Sequence, residues 1–93
     1  MGRLQEMKQK AEEIKLKLDE TLINTEAAGG DIKITITGGR KIRSLTISSS
    51  LQHGDSEELE EQLVVAINRA IETADRMNEE EMKKAAGGML PGI

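Results

Sequence analysis

Between Arg3 and about Thr21 the apolar residues fall at Leu4, Met7, Ala11, Ile14 and Leu18. That 3-4-3-4 spacing keeps returning to one side of an α-helix, and the intervening Glu, Lys and Gln are good helix formers. A helix over about residues 3–21 follows. The period then drops to two: Ile32, Ile34 and Ile36 alternate with Lys33, Thr35 and Thr37. This is the pattern of a half-buried strand, over about 31–37. Gly38-Gly39 separates it from a second run over about 40–48, and a two-residue Gly-Gly loop admits the positive φ values of a tight hairpin. Leu45 and Ile47 share a face of that second run, whereas Ile42 is out of phase, which calls for a bulge or an early edge contact. A shorter strand over about 22–27, closed by Ala28-Gly29-Gly30, completes a three-stranded antiparallel meander.

The third zone is a long helix, predicted over about 56–86. Asp55 is placed to cap it, and Glu57 and Glu58 occupy the first turn, where the helix dipole favours negative charge. Leu59, Leu63, Val64, Ala66, Ile67, Ala70, Ile71, Ala74 and Met77 cover nearly half its circumference. A face that broad touches both a sheet and another helix. Gly87-Gly88 is expected to stop the helix and Pro91 to prevent resumption, leaving 87–93 as a flexible tail. Some thirty residues of helix measure roughly 45 Å, against about 20–25 Å for the strands. The overhang needs a partner or projects into solvent. The fold class is therefore α+β, a single domain over 1–93 with the order helix, three-stranded meander, long helix (α-β-β-β-α).

Size and composition add one constraint. The chain has 93 residues and no Phe, Tyr or Trp. A chain this small buries only about 60–65% of its unfolded surface, and without aromatics its core is thin. A partner subunit relieves the shortage, so a homodimer is expected. There is no cysteine, so disulfides and thiolate metal sites are excluded, and no cofactor or metal is expected. No stretch approaches the roughly 18 apolar residues that span a bilayer, and Met1-Gly2-Arg3-Leu4-Gln5-Glu6 has no apolar run of signal-peptide type. A cytoplasmic protein without a membrane partner is the expectation.

The net charge is −4, unevenly spread: residues 1–54 carry nine Lys/Arg against seven Asp/Glu, and residues 55–93 carry four against ten. On the first helix, Arg3, Lys10 and Lys17 flank one side of the apolar seam, and Lys8 and Lys15 flank the other. Glu6, Glu12, Glu13, Asp19 and Glu20 point away from it. Two such helices paired in parallel set Lys against Lys, which is unfavourable. The basic border must face something negative: the acidic second helix, or phosphate. Arg40, Lys41 and Arg43 form a second cluster beside the glycine turn, suited either to a phosphate or to protecting a sheet edge. Arg69 and Arg76 stand one heptad apart on the long helix and either reach phosphate or pair with neighbouring acids. Lys83 and Lys84 complement the helix C-terminus.

Catalytic constellations are missing, and no enzyme is expected. His53 is the single histidine, in a Ser/Gly-rich loop that it caps or solvates. Ser48, Ser49 and Ser50 make no nucleophile elbow, and Gly29-Gly30 and Gly38-Gly39 are turn glycines rather than a phosphate loop.

The segment Gly29-Gly30-Asp31-Ile32-Lys33-Ile34-Thr35-Ile36-Thr37-Gly38 resembles the YbaB/EbfC nucleoid-associated proteins. So do Ile42-Arg43-Ser44-Leu45-Thr46-Ile47 leading into a serine-rich loop, the tail Gly87-Gly88-Met89-Leu90-Pro91-Gly92, and the element order. The resemblance covers essentially the whole chain. It implies an intertwined homodimer with helical arms projecting like tweezers, associated with the bacterial nucleoid and binding duplex DNA with little sequence preference. The residues expected to meet phosphate are Arg3, Lys8, Lys10, Lys15, Lys17, Arg40, Lys41 and Arg43. Without aromatic residues there is no platform for stacking single-stranded bases, so duplex contact would be weak and salt-dependent. The strongly acidic long helix departs from a DNA-binding pattern. It supports the alternative of an acidic adaptor dimer of the same fold that contacts other proteins.

Overall fold

Two antiparallel hairpins share their middle strand. β2 (Ile32–Thr37) pairs on one side with β1 (Leu22–Ala27) and on the other with β3 (Ile42–Ile47). They belong to a computed structural model that describes residues 2–89. Around the sheet stand α1 (Gly2–Glu20), a one-turn α2 (Ser49–Gln52) and α3 (Ser56–Met89). The order α-β-β-β-α is that of the sequence reading, with α2 added between β3 and α3.

Alternation along β2 sets the two faces of the sheet. Ile32, Ile34 and Ile36 are no more than 2% exposed, while Lys33 between them is exposed. Residues directly opposite each other share a face. Ile32 therefore lies with Ala27 and Ile47, Ile34 with Thr25 and Leu45, and Ile36 with Ile23 and Ile42. Thr35 faces Ser44 but Ile36 faces Ile42, so Arg43 is the extra residue of a β-bulge. The bulge brings Ile42 onto the same face as Leu45 and Ile47, which resolves the phase mismatch in the sequence.

α3 covers this face over β1 and β2. Ala66, Ala70 and Ala74, four residues apart, are at most 3% exposed. Their single-carbon side chains let the helix backbone approach the β2 isoleucines closely. Leu51 of α2 closes one end of the core, and Ile23, Ala28, Ile47, Leu59, Leu63 and Ile67 pack around it. Asp55 caps α3, its Oδ1 accepting from the Glu57 amide at 3.0 Å. Ser48 caps α2, its Oγ accepting from the Leu51 amide at 3.3 Å.

Three expectations need correction. The β2–β3 loop is not a two-residue Gly-Gly turn with both glycines at positive φ. It spans residues 38–41, and the left-handed residue is Arg40 at φ +69. The loop is closed by bonds from the Thr37 amide to the Lys41 carbonyl (2.8 Å) and from the Arg40 amide to the Thr37 carbonyl (3.0 Å). The buried Thr37 hydroxyl adds a third, accepting from the Lys41 amide at 3.1 Å. The glycines are there for proximity. A Cβ at Gly38 would lie 2.9 Å from the Leu18 carbonyl oxygen, and one at Gly39 would overlap a carboxylate oxygen of Asp19. The turn is thereby pressed onto the end of α1, where the Gly38 amide donates to the Thr21 carbonyl at 3.0 Å.

Second, β3 begins at Ile42, so Arg40 and Lys41 lie in the turn rather than in the strand expected from residue 40. Third, α3 passes through Gly87-Gly88 and runs to Met89. Glycine weakens a helix by about 1 kcal/mol per residue without forbidding it, and extending an existing helix is far easier than starting one. The tail expected from residue 87 thus begins inside α3, and its part over 90–93, with Pro91, lies outside the described residues.

Gly38→Ala should lower the unfolding free energy by about 1–3 kcal/mol, because backbone of α1 must yield. Gly39→Ala should lower it less, since the Asp19 carboxylate can swing aside. Urea titrations of the two variants check both the size and the order.

Candidate nucleic-acid interface

One helical turn per about 3.6 residues places Lys8 and Lys15 on one flank of the α1 seam and Arg3, Lys10 and Lys17 on the other, roughly 150° apart. All five are exposed, as are Arg40, Lys41 and Arg43. The fold sends the two flanks to different surroundings, because α1 lies along the C-terminal half of α3.

Lys8 and Lys15 meet Arg40 at the rim of an open groove of about 460 Å³ between α1, α3 and the β2–β3 turn. Its apolar lining includes Ala11, Leu18 and Met82, and Glu12 and Asp19 also reach it. Asn78 ties α3 to the turn across this groove, donating from Nδ2 to the Gly38 carbonyl at 3.4 Å. On the other flank Lys17 stands 3.9 Å from Glu81 of α3, which also pairs with Lys84 at 3.7 Å. Arg40 pairs through Nε with Asp75 of α3. These three are the ion pairs among the described residues. The choice left open for the basic border thus divides: the acidic helix takes Lys17, and the ion pairs do not include Arg3, Lys8, Lys10 or Lys15; of the second cluster it takes Arg40 and not Lys41 or Arg43.

Arg43 is not gathered with the others. The bulge places it beside Glu20 and Leu22, at a shallow depression where α1 joins β1. Arg69, which was open to phosphate or to an acid, donates from Nη1 to the Glu26 backbone carbonyl at 2.9 Å. Asp75, Glu81 and Asn78 are the residues that sequence reasoning did not single out. Their i, i+3 spacing is visible, but which cation each meets depends on how α1 crosses α3. Lys33 is a further exposed cation on the sheet face opposite α3. Its outward phase in Ile32-Lys33-Ile34 marked it in advance.

His53 is occupied structurally, with Nδ1 2.8 Å from the Ser49 carbonyl, where a protonated Nδ1 closes the end of α2.

Beside the cations lies uncovered apolar surface. Leu4 and Met7 of α1 are 77% and 49% exposed, and only at Leu18 does the seam become fully buried. Ile42 and Leu45, on the core face of β3 beyond the reach of α3, are 44% and 46% exposed. Val64 and Ile71 of α3 are also open. Apolar surface of this extent, bordered by lysines, is characteristic of an interface.

The chain matches the model of the YbaB/EbfC DNA-binding family over residues 1–89. It is 44% identical over all 93 residues to a nucleoid-associated protein of Flavobacterium johnsoniae, 87% of whose length is covered. A nucleoid-associated protein of Chlorobium phaeobacteroides is 35% identical over 92 residues, which covers 99% of this chain and 82% of that one. Among solved structures, an uncharacterized protein from Helicobacter pylori matches with a TM-score of 0.84 at 22% identity, covering 92% of this chain and 91% of that one. At that identity the likeness speaks for the fold.

The Arg40–Asp75 and Lys17–Glu81 pairs are both exposed enough for water to screen them. Arg40→Ala or Lys17→Ala should each change the unfolding free energy by no more than about 1 kcal/mol. The midpoint of urea unfolding, at unchanged slope, measures this directly.

Proposed function

The chain belongs to the YbaB/EbfC DNA-binding family, and from that premise we propose that it is a nucleoid-associated protein gripping duplex DNA as a homodimer through Lys and Arg contacts to phosphate. The observation that carries this reading is the placement of two lysine rows along an α1 seam that a single chain leaves largely uncovered. Packing that seam, or the open apolar surface of β3 and α3, against a second copy removes the surface from water. It also gathers the cations of two chains into one track. Arg3, Lys8, Lys10 and Lys15 supply the row, with Lys17, Arg40 and Lys41 beside it and Arg43 as an outlying contact.

Contacts of this kind read charge rather than sequence. Base edges are distinguished by bidentate or apolar contacts within a groove, whereas phosphate contacts fix position only. The dimer carries about twice the −4 of one chain, so its long-range field slows approach to DNA. Weak binding with little sequence preference follows. A second reading, an acidic adaptor of the same fold, draws support from the carboxylates of α3, two of which already occupy cations of the candidate row.

The test is anisotropy of a labelled random duplex across a salt series. Log affinity should fall by roughly 0.9 per phosphate neutralised for each unit of log salt, and Lys8→Glu with Lys15→Glu should abolish the signal at moderate salt. Absence of binding at low salt, with capture of protein partners, favours the adaptor. Separately, Ile42→Asp with Leu45→Asp should turn a dimer into a monomer in sedimentation equilibrium if β3 lies in the interface. A dimer that survives this change puts the contact on α1 or α3 instead.

A further inference from the structure

Two cations of the candidate track are already engaged by carboxylates of the same chain. Arg40 is held through its Nε by Asp75, and Lys17 stands 3.9 Å from Glu81. Asp75 and Glu81 both project from α3, whereas Arg40 and Lys17 come from the β2–β3 turn and from α1. The pairs therefore bridge separate elements, and each sets a carboxylate against a cation of the proposed DNA-binding row. We infer that Asp75 and Glu81 act as an internal substitute for phosphate, an autoinhibitory contact that lowers the affinity of the chain for DNA. The inference rests on the DNA-binding reading above and adds a regulatory element to it.

Physical reasons make the contact a competitor rather than a fixture. Side-chain exposure is 49% and 45% for Arg40 and Asp75, and 71% and 26% for Lys17 and Glu81. Exposed pairs of this kind are worth at most about fivefold in equilibrium each. Duplex DNA presents one charge per about 1.7 Å of axis with condensed counterions, so exchanging carboxylate for phosphate is driven by counterion release. The carboxylates act twice: they must be displaced from the cations, and once displaced they remain beside the phosphates as like charges. Glu81 also pairs with Lys84 at 3.7 Å, so its neutralisation frees a third cation at the same point.

The pairing can be separated from net charge because Glu79 and Glu80 lie next to Glu81 on α3, are exposed, and are not among the ion pairs. D75N/E81Q and E79Q/E80Q remove the same charge from the same helix. Binding of the full chain to a labelled random duplex is measured by anisotropy over a salt series, with circular dichroism to confirm folding. D75N/E81Q is expected to bind about three- to tenfold tighter than the wild type, with a salt slope steeper by up to about 1.8. E79Q/E80Q is expected to gain less than about twofold.

Equal gains in the two variants would overturn the inference, leaving only a field effect. Weaker binding by D75N/E81Q would overturn it too, since Asp75 and Glu81 would then be orienting the cations for phosphate. If D75N/E81Q does not fold, the D75N and E81Q single variants carry the same comparison. When the wild type binds but the variants coincide, the inference alone fails. When neither the wild type nor any variant binds at low salt, the DNA reading fails and takes the inference with it.

Discussion

Three alanines of α3 and three isoleucines of β2 press against one another, and the remaining geometry hangs on that contact. Ala66, Ala70 and Ala74 recur every fourth residue, so they form one stripe, and none projects far enough to hold the helix off the sheet. Close approach lets Ile32, Ile34 and Ile36 fill the space without any aromatic residue in the chain. It also fixes the line along which α3 crosses the sheet. That line runs over β1 and β2 and leaves β3 beside it, with Ile42 and Leu45 open to water. The same line carries the second half of α3 past the end of the sheet, where α1 lies against it. The 59 Å length of the molecule, against widths of 22 and 16 Å, follows from this overhang.

The overhanging pair of helices is where charge and apolar surface meet. α1 presents lysines on both sides of a seam, and α3 presents carboxylates toward them. The outcome is a graded arrangement rather than neutralisation: α3 takes Lys17 and Arg40, while Lys8 and Lys15 border an open groove. A protein of net charge −4 thereby keeps cations on α1 outside its ion pairs, with Glu12 and Asp19 beside them. Negative charge on the rest of the molecule opposes tight binding to a polyanion.

Much of the architecture was legible in the periodicities. The 3-4-3-4 seam, the alternation of Ile32 to Thr37 and the broad apolar face from Leu59 onward each correspond to an element of the fold. Asp55 before an acidic first turn marked the start of α3, and the phase slip at Ile42 marked the need for a bulge. These are local signals, because each depends on the geometry of one element or one hairpin. The hairpin turn was not legible in the same way. Gly38 and Gly39 suggested positive φ, but what demands glycine is the nearness of Leu18 and Asp19, which lie about twenty residues away along the chain. The left-handed position fell to Arg40, a residue that no turn rule selects. The end of α3 was also misjudged, because a glycine pair lowers helix propensity without forbidding helix.

Sequence by itself determined the order of the main helices and strands, which side of each is apolar, and that basic residues border the first helix. Side-chain periodicity is set by backbone geometry, and backbone geometry is local. Only tertiary structure decided which cations remain open, which are held by Asp75 and Glu81, and that Arg43 is turned away by its bulge. Those outcomes depend on how α1 crosses α3 and how the turn seats on α1, and crossings are settled by packing between residues distant in the chain.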